Sequence, residues 1–158
     1  MGFFGWWRHF WGGQETVVAA SKSVSVRGLV QAIDEMPSPL SGEICVSIRY
    51  LASVPHAFGT LLGAVTRHQV ECRQSRDFIL RDGQGGLLVQ VDAGHDVATF
   101  HAGLLARHGL DLEAREEIIR EGDLVVVRGQ ITDIDARSPH RRAPYRAILV
   151  AEGLTRRE

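Results

Sequence analysis

The histidines are the first residues whose chemistry needs placing. His95 and Asp96, followed by His101 and His108, form the one sequence cluster with metal-ligand types. A spacing of seven puts His101 and His108 on one face of a helix but two turns apart, too far to share one ion. No His-Glu-x-x-His-like spacing is present. The cluster therefore reads as exposed or capping side chains, with Asp96 as a helix N-cap, and neither metal nor cofactor is expected. Cys45 lies in a β-rich stretch with no local base, so it reads as a small buried apolar residue rather than a nucleophile. Gly83 to Gly86 is not a phosphate loop, because no helix carrying Lys and Ser follows it. His56, in a Pro/Gly-marked stretch, is a candidate ligand contact. No residue set supports catalysis.

Charge and aromatic content are both unevenly placed. Eighteen basic residues face 19 acidic ones, which gives no bulk affinity for polyanions, and Lys22 is the single lysine. Yet residues 111–135 carry a net charge of −5 and residues 136–158 a net +4. Arg137, His140, Arg141, Arg142 and Arg146 fall together between the last two strand-like runs. Such a loop suits phosphate oxygens of a nucleic acid or of lipid headgroups; salt bridges to the acidic stretch are the alternative.

Six of the eleven aromatic residues, Phe3, Phe4, Trp6, Trp7, Phe10 and Trp11, lie in the first eleven positions. On a helical wheel they fall within roughly 160° of arc. That segment is shorter than the ~20 apolar residues of a membrane span, and it lacks the parts of a signal peptide. Trp6 occupies the place where a myristoylation motif needs Ser or Thr. The pattern fits a helix lying in a membrane interface, where indole rings are favoured. Packing of the rings on the domain, or between copies in an oligomer, is the alternative.

These features need a scaffold. Length and an apolar content of 44% support one domain with one core, and two cysteines exclude a disulfide-stapled or Cys-rich zinc module. Residues 1–13 read as the aromatic amphipathic segment, 14–22 as a linker, and 23–158 as a β-barrel domain. Val24 to Ile33 alternates as a strand with one buried face. Asp34 to Gly42 turns, and Glu43 to Ala52 is β-rich. Ser53 to Thr66, with Pro55, Gly59 and Gly63, reads as a loop or a short helical turn, and Arg67 to Arg73 as a short edge strand. Asp77 to Val91 is a hairpin about an Asp-Gly turn. Val97 to His108 has helical spacing and stops at Gly109. Leu112 to Arg120 reads as a second, shorter helical turn. Leu124 to Ile134 and Tyr145 to Leu154 are the last strands, separated by the Arg/Pro-rich loop.

Without the insertion after the first strand, the order is three strands, a helix, then two strands. The expected fold is mainly β (α+β): a small OB-like Greek-key barrel with one helix. Gly28 and Gly129 fall mid-strand, where small barrels bend or bulge. A β-sandwich is the alternative.

Val26-Arg27-Gly28-Leu29-Val30, Pro37 to Val46, Ser75 to Asp82, Gly86 to Val89 and Glu117 to Gly129 follow one another in an order that resembles the GIDE-type, or beside-a-membrane (BAM), domain. The most specific part is Ser38-Pro39-Leu40-Ser41-Gly42-Glu43 with Cys45. This domain occurs in membrane-anchored E3 ubiquitin ligases of mitochondrial and chloroplast outer membranes and in prokaryotic relatives. The resemblance spans residues 24–154 and implies a substrate- or partner-binding module held beside a bilayer. It does not imply ligase activity: a RING needs about eight Cys/His ligands, and Cys45 and Cys72 cannot build one. Nor is there a transmembrane helix, whose place the aromatic segment would take.

The sequence thus points to a non-catalytic, membrane-proximal binding module for a protein, peptide or small ligand, cytoplasmic and peripheral to the inner face of a membrane. Its contacts would be the six N-terminal rings for lipid, and His56, Arg137, Arg141, Arg142 and Arg146 for ligand or partner. The second reading is a single-stranded nucleic-acid-binding protein that uses the basic loop 137–146. That reading wants exposed rings on the barrel, and Phe78 and Tyr145 are the candidates.

Overall fold

A computed structural model describes residues 22–61, 64–133 and 144–157, without the side chains at 56–61, 64–65 and 133. Five strands close a barrel: β1 (Val24–Ala32), β6 (Phe78–Asp82), β7 (Gly85–Gln90), β10 (Ala147–Arg156) and β9 (Leu124–Asp133), which pairs back with β1. Four of the five pairings are antiparallel; β7 with β10 is parallel. The barrel is filled by Val30, Phe78, Leu80, Leu87, Val89, Val125, Val127 and Leu149. They sit at alternate positions within each strand, as a pleated strand with one buried face requires.

Two glycines shape the closure. At Gly28, β1 ends most of its pairing with β9 and turns towards β6, and Leu29 pairs with both. A Cβ at Gly28 would sit 2.9 Å from Leu80 Cγ and closer still to the Arg81 carbonyl oxygen. Gly129 faces Ala151, where the β9–β10 register shifts between Ala151 and Gly153, and a Cβ there would overlap the Val150 carbonyl. The expected bend and bulge are therefore both present, and each requires the missing side chain.

The other elements build a second layer. They are β2 (Met36–Pro37), β3 (Ile44–Cys45), β4 (Ser47–Leu61), β5 (Ala64–Ser75), α1 (Val97–His108), a 3-10 turn at Gly109–Asp111, and β8 (Glu113–Ile119). β2 and β3 pair in a short ribbon, and β5, β4 and β8 form a three-stranded sheet in that order. Its inner face and α1 enclose Ile48, Tyr50, Ala52, Val54, Cys72, Val97 and Leu104. The layer comes from two stretches of chain, one between the first and second barrel strands and one between the third and fourth. A single insertion after the first strand was therefore only half of it.

Two local expectations are corrected. Residues 53–61 and 64–66 are strand, not loop: β4 and β5 pair antiparallel along this stretch, with Pro55 opposite Arg67 and Thr60 opposite Val65. Pro55 is tolerated because β8 stops pairing with β4 at Ser53, so no third strand needs its missing N–H. Residues 112–120 are not helical beyond the 3-10 turn. Glu, Ala and Arg are good helix formers, but Ala114, Glu116 and Ile118 alternate with Glu113, Arg115 and Glu117. Pairing with β4 selects that two-residue period over the local propensity. The outward residues join an exposed ionic ladder, in which Arg49 bonds Glu71 at 3.1 and 3.2 Å and Glu117 at 3.1 Å.

The glycines give a paired test. Gly129→Ala should lower the urea unfolding free energy by about 2 kcal/mol or more through overpacking. Gly103→Ala in α1, where a Cβ meets nothing within 4 Å, should raise it by about 0.5–1 kcal/mol. Equal effects from the two would contradict the close approach at the bulge.

Candidate functional site

The strand ends organise two sites. The first is the turn between β2 and β3, the Ser38-Pro39-Leu40-Ser41-Gly42 stretch. Its backbone closes on itself through Ser38 N–H to the Glu43 carbonyl at 2.9 Å and Gly42 N–H to the Ser38 carbonyl at 3.1 Å. Gly42 adopts φ 72°, which favours glycine. Its central partner arrives from β8. The Glu116 carboxylate accepts the Ser38 hydroxyl at 2.6 Å, the Ser41 N–H at 2.9 Å and the Leu40 N–H at 3.2 Å. Ser38 Oγ also lies 2.7 Å from Ser41 Oγ. Burial pushes the Glu116 carboxyl up, but hydrogen bonds from Ser38, Ser41 and Leu40 outweigh it and leave the group below its usual range. Glu116 is the one charged residue on the inward side of β8.

Behind the turn, the Cys45 thiol is fully buried and donates to the Met36 carbonyl at 3.4 Å. Burial first, then the nearby Glu116, Glu35 and Glu43, pushes it up to about 11. It stays a thiol at neutral pH, which suits packing and not nucleophilic attack. The wall of this core is Tyr50, whose hydroxyl lies 2.7 Å from His101 Nδ1, with Phe100 edge-on at 5.9 Å. Burial, then Cys72 and Glu116, raises the Tyr50 phenol. His101 thus closes a hydrogen bond into the core rather than facing a ligand. Asp96 caps α1 by accepting the Thr99 N–H at 2.7 Å, and that bond is the leading cause of its lowered pKa. His95 is exposed, and its N–H donates to the Arg73 carbonyl at 2.9 Å. Among the described residues, no three His, Cys, Asp or Glu side chains gather as a metal site.

The second site is the barrel rim where the basic loop returns. The Arg146 guanidinium pairs with Asp82 at the end of β6, and the Arg146 backbone N–H donates to the Gly86 carbonyl at 2.8 Å. The chain passes so closely over β7 that a Cβ at Gly86 would lie 2.6 Å from the Pro144 carbonyl oxygen. Arg146 is therefore held by the fold at the foot of the loop. Arg137, Arg141 and Arg142 lie outside the described residues, as do the six N-terminal rings and the linker up to Ser21. His56 belongs to β4, in the stretch between Pro55 and Thr60 where the register with β5 shifts; it is not in a loop. Phe78 is corrected as a stacking ring: it is wholly buried in the barrel core, because β6 is covered on both faces. Tyr145 is half-buried at the rim.

The sequence reading missed Glu116 and the Tyr50–His101 pair. The available signal for Glu116 was a lone acid in the alternating apolar set Ala114, Ile118. No known family, curated protein or solved structure matches the chain.

Replacing Glu116 by Ala should cost about 2–3 kcal/mol in urea unfolding, because three donors lose a charged acceptor. Glu116→Gln should cost less, since the amide oxygen still accepts. An effect below about 0.5 kcal/mol for the alanine variant would contradict the role given to this carboxylate. The Glu116 carboxyl is depressed in the fold, so its contribution is complete above the ordinary carboxylate pKa and fades as pH falls below it. Stability of the natural chain should therefore fall on acidification through pH ~4 more steeply than that of Glu116→Gln.

Proposed function

We propose that this protein is a non-catalytic binding module that works next to a membrane, on an OB-like Greek-key barrel. The barrel's order, first-second-third-fifth-fourth with the third and fifth strands parallel, supports the OB-like reading. The membrane reading is carried by one observation: six aromatic rings on one helical arc within eleven residues. Its resemblance to the beside-a-membrane domain agrees, and so does the side-chain chemistry. The buried Cys45 thiol, the capping Asp96 and the core-facing His101 each make structural contacts, which supports the non-catalytic reading. The turn latched by Glu116 offers a fixed surface with exposed Leu40 and Ile44 to a protein or peptide partner.

The ring-bearing segment is tested by flotation. The full chain should rise with vesicles containing anionic lipid, and a chain starting at residue 14 should bind at least about tenfold more weakly. Undiminished binding after the deletion would overturn the anchor.

The second reading, single-stranded nucleic-acid binding, draws on the same strand order and on the run of arginines in the sequence of residues 137–146, between the last two barrel strands. With Phe78 in the core it has lost one stacking ring. It requires salt-sensitive binding of a labelled oligonucleotide that weakens in Arg141→Ala/Arg142→Ala. An oligonucleotide that binds neither at low salt nor above it ends this reading.

A further inference from the structure

One outer face of the barrel gathers arginines that the described residues leave without a counter-charge. On β1, Val26, Gly28 and Val30 turn inward, so Ser25, Arg27 and Leu29 point out. The pairings set these in rows: Ser25 beside Arg128, Arg27 beside Val126 and then Thr155, and Leu29 between Arg81 of β6 and Leu124 of β9. Arg157, just past β10, donates its backbone N–H to the Leu124 carbonyl at 2.9 Å, which places it in the third row. Arg27 and Arg128 are therefore diagonal neighbours, about 7–8 Å apart.

The charges on this face do not balance. Arg27, Arg81, Arg107, Arg115, Arg128 and Arg157 make no ion pair among the described residues, whereas every other described arginine does. Four of these six share the one barrel face, and all four are exposed. Their printed side-chain partners are neutral: Arg81 Nε donates to Gln31 Oε1 at 2.6 Å and Arg128 Nε to Ser23 Oγ at 3.4 Å. Glu152, at the β10 bulge, is the one acid on the outward side of these strands among the described residues. It already accepts the Ser23 hydroxyl and the Gln130 amide, both at 2.9 Å. Asp123, at the end of β9, is paired with Arg156 at 3.4 Å. Leu29, half-exposed, stands between Arg27 and Arg81.

From this uncompensated charge we infer that the β1–β9–β10 face of the barrel rests on an anionic bilayer surface, with Arg27, Arg81, Arg128 and Arg157 at the lipid phosphates and Leu29 among the headgroups. Two observations choose lipid as the occupant. The face carries no aromatic ring, so the bases of a nucleic acid have nothing to stack on. The chain also enters β1 at this face, through exposed Lys22 and through Ser23, whose hydroxyl lies between Arg128 and Glu152. Residues 12–21 alone separate the last of the six N-terminal rings from that entry. A stretch of that length reaches at most about 35 Å, so rings and arginines can meet one membrane together, and each contact strengthens the other. The inference rests on the membrane-proximal reading and deepens it by giving the barrel a defined side towards the bilayer, on residues separate from the rings.

The test uses the full chain and vesicles of phosphatidylcholine with phosphatidylserine. Arg27→Gln/Arg128→Gln is compared with Arg107→Gln/Arg115→Gln, which removes the same charge from the second layer. All four positions are exposed, so both variants should keep the natural thermal unfolding. The first should partition onto the vesicles about 25-fold more weakly, from roughly fivefold per arginine near an anionic surface, and the second within about twofold of the natural chain. Arg27→Lys/Arg128→Lys, which keeps the charge, should bind as the natural chain does. Equal loss in the two glutamine variants overturns the face, because net charge alone then accounts for binding. Unchanged partition of Arg27→Gln/Arg128→Gln, with the natural chain still floating, overturns the face and leaves the N-terminal anchor standing. Absence of flotation by the natural chain overturns both. If Arg27→Gln/Arg128→Gln loses binding to a labelled oligonucleotide and not to vesicles, the face belongs to nucleic acid and the inference is overturned.

Discussion

One carboxylate joins the two inserted stretches of this chain. Glu116 belongs to the stretch that follows the third barrel strand, and its partners Ser38, Leu40 and Ser41 belong to the stretch that follows the first. Neither the turn nor β8 holds a core alone: the turn has few apolar residues, and β8 is one strand. Together with β4, β5 and α1 they enclose Tyr50, Cys45 and Cys72. A half-buried charge is costly unless several donors meet it, so the turn must adopt the one shape that presents a hydroxyl and two amides. The same requirement fixes the β8 register, because a one-residue slip would carry Glu116 to the outer face.

The barrel is constrained by absence instead of charge. Gly28 and Gly129 stand where neighbouring backbone comes too close for any side chain, and Gly86 stands under the returning Pro144. These contacts pull β1 from β9 towards β6 and bulge β10, and so close the ring of five strands. Closure has a functional consequence at the rim. The first described residues of the returning chain are drawn onto β7, so Arg146 pairs with Asp82. With that pair, Arg146 is already engaged within the fold.

Much of the fold is legible because it is local. The hairpin about Asp82-Gly83, the helix from Val97 to His108, its Asp96 cap and the Gly109 stop each rest on residues within a few positions of one another. The failures are non-local. Glu113 to Ile119 carries helix-forming side chains, and only the presence of β4 makes it a strand. Pro55 and Gly59 punctuate a stretch that pairing nevertheless holds as strand. Phe78, Ile79 and Leu80 are consecutive and all buried, so no alternation separates the inward ring from an outward one. At the candidate sites the limit is sharper. The donors to Glu116 lie 75 to 78 positions away, and Asp82 lies 64 positions from Arg146, distances over which residue spacing carries no information. What residue types did convey was the placement of unusual chemistry along the chain, rings at one end and arginines in one run, and the burial of the Cys45 thiol.

The resulting account has two parts. A glycine-shaped barrel closes on itself, and a carboxylate-latched layer packs β4, β5, β8 and α1 around Tyr50. The most direct measurement is amide hydrogen exchange across the full chain, natural and Glu116→Ala. The account predicts that the substitution speeds exchange at the Leu40 and Ser41 amides and along β8 while the barrel strands keep their rates. Unchanged exchange at Leu40 and Ser41 would contradict it.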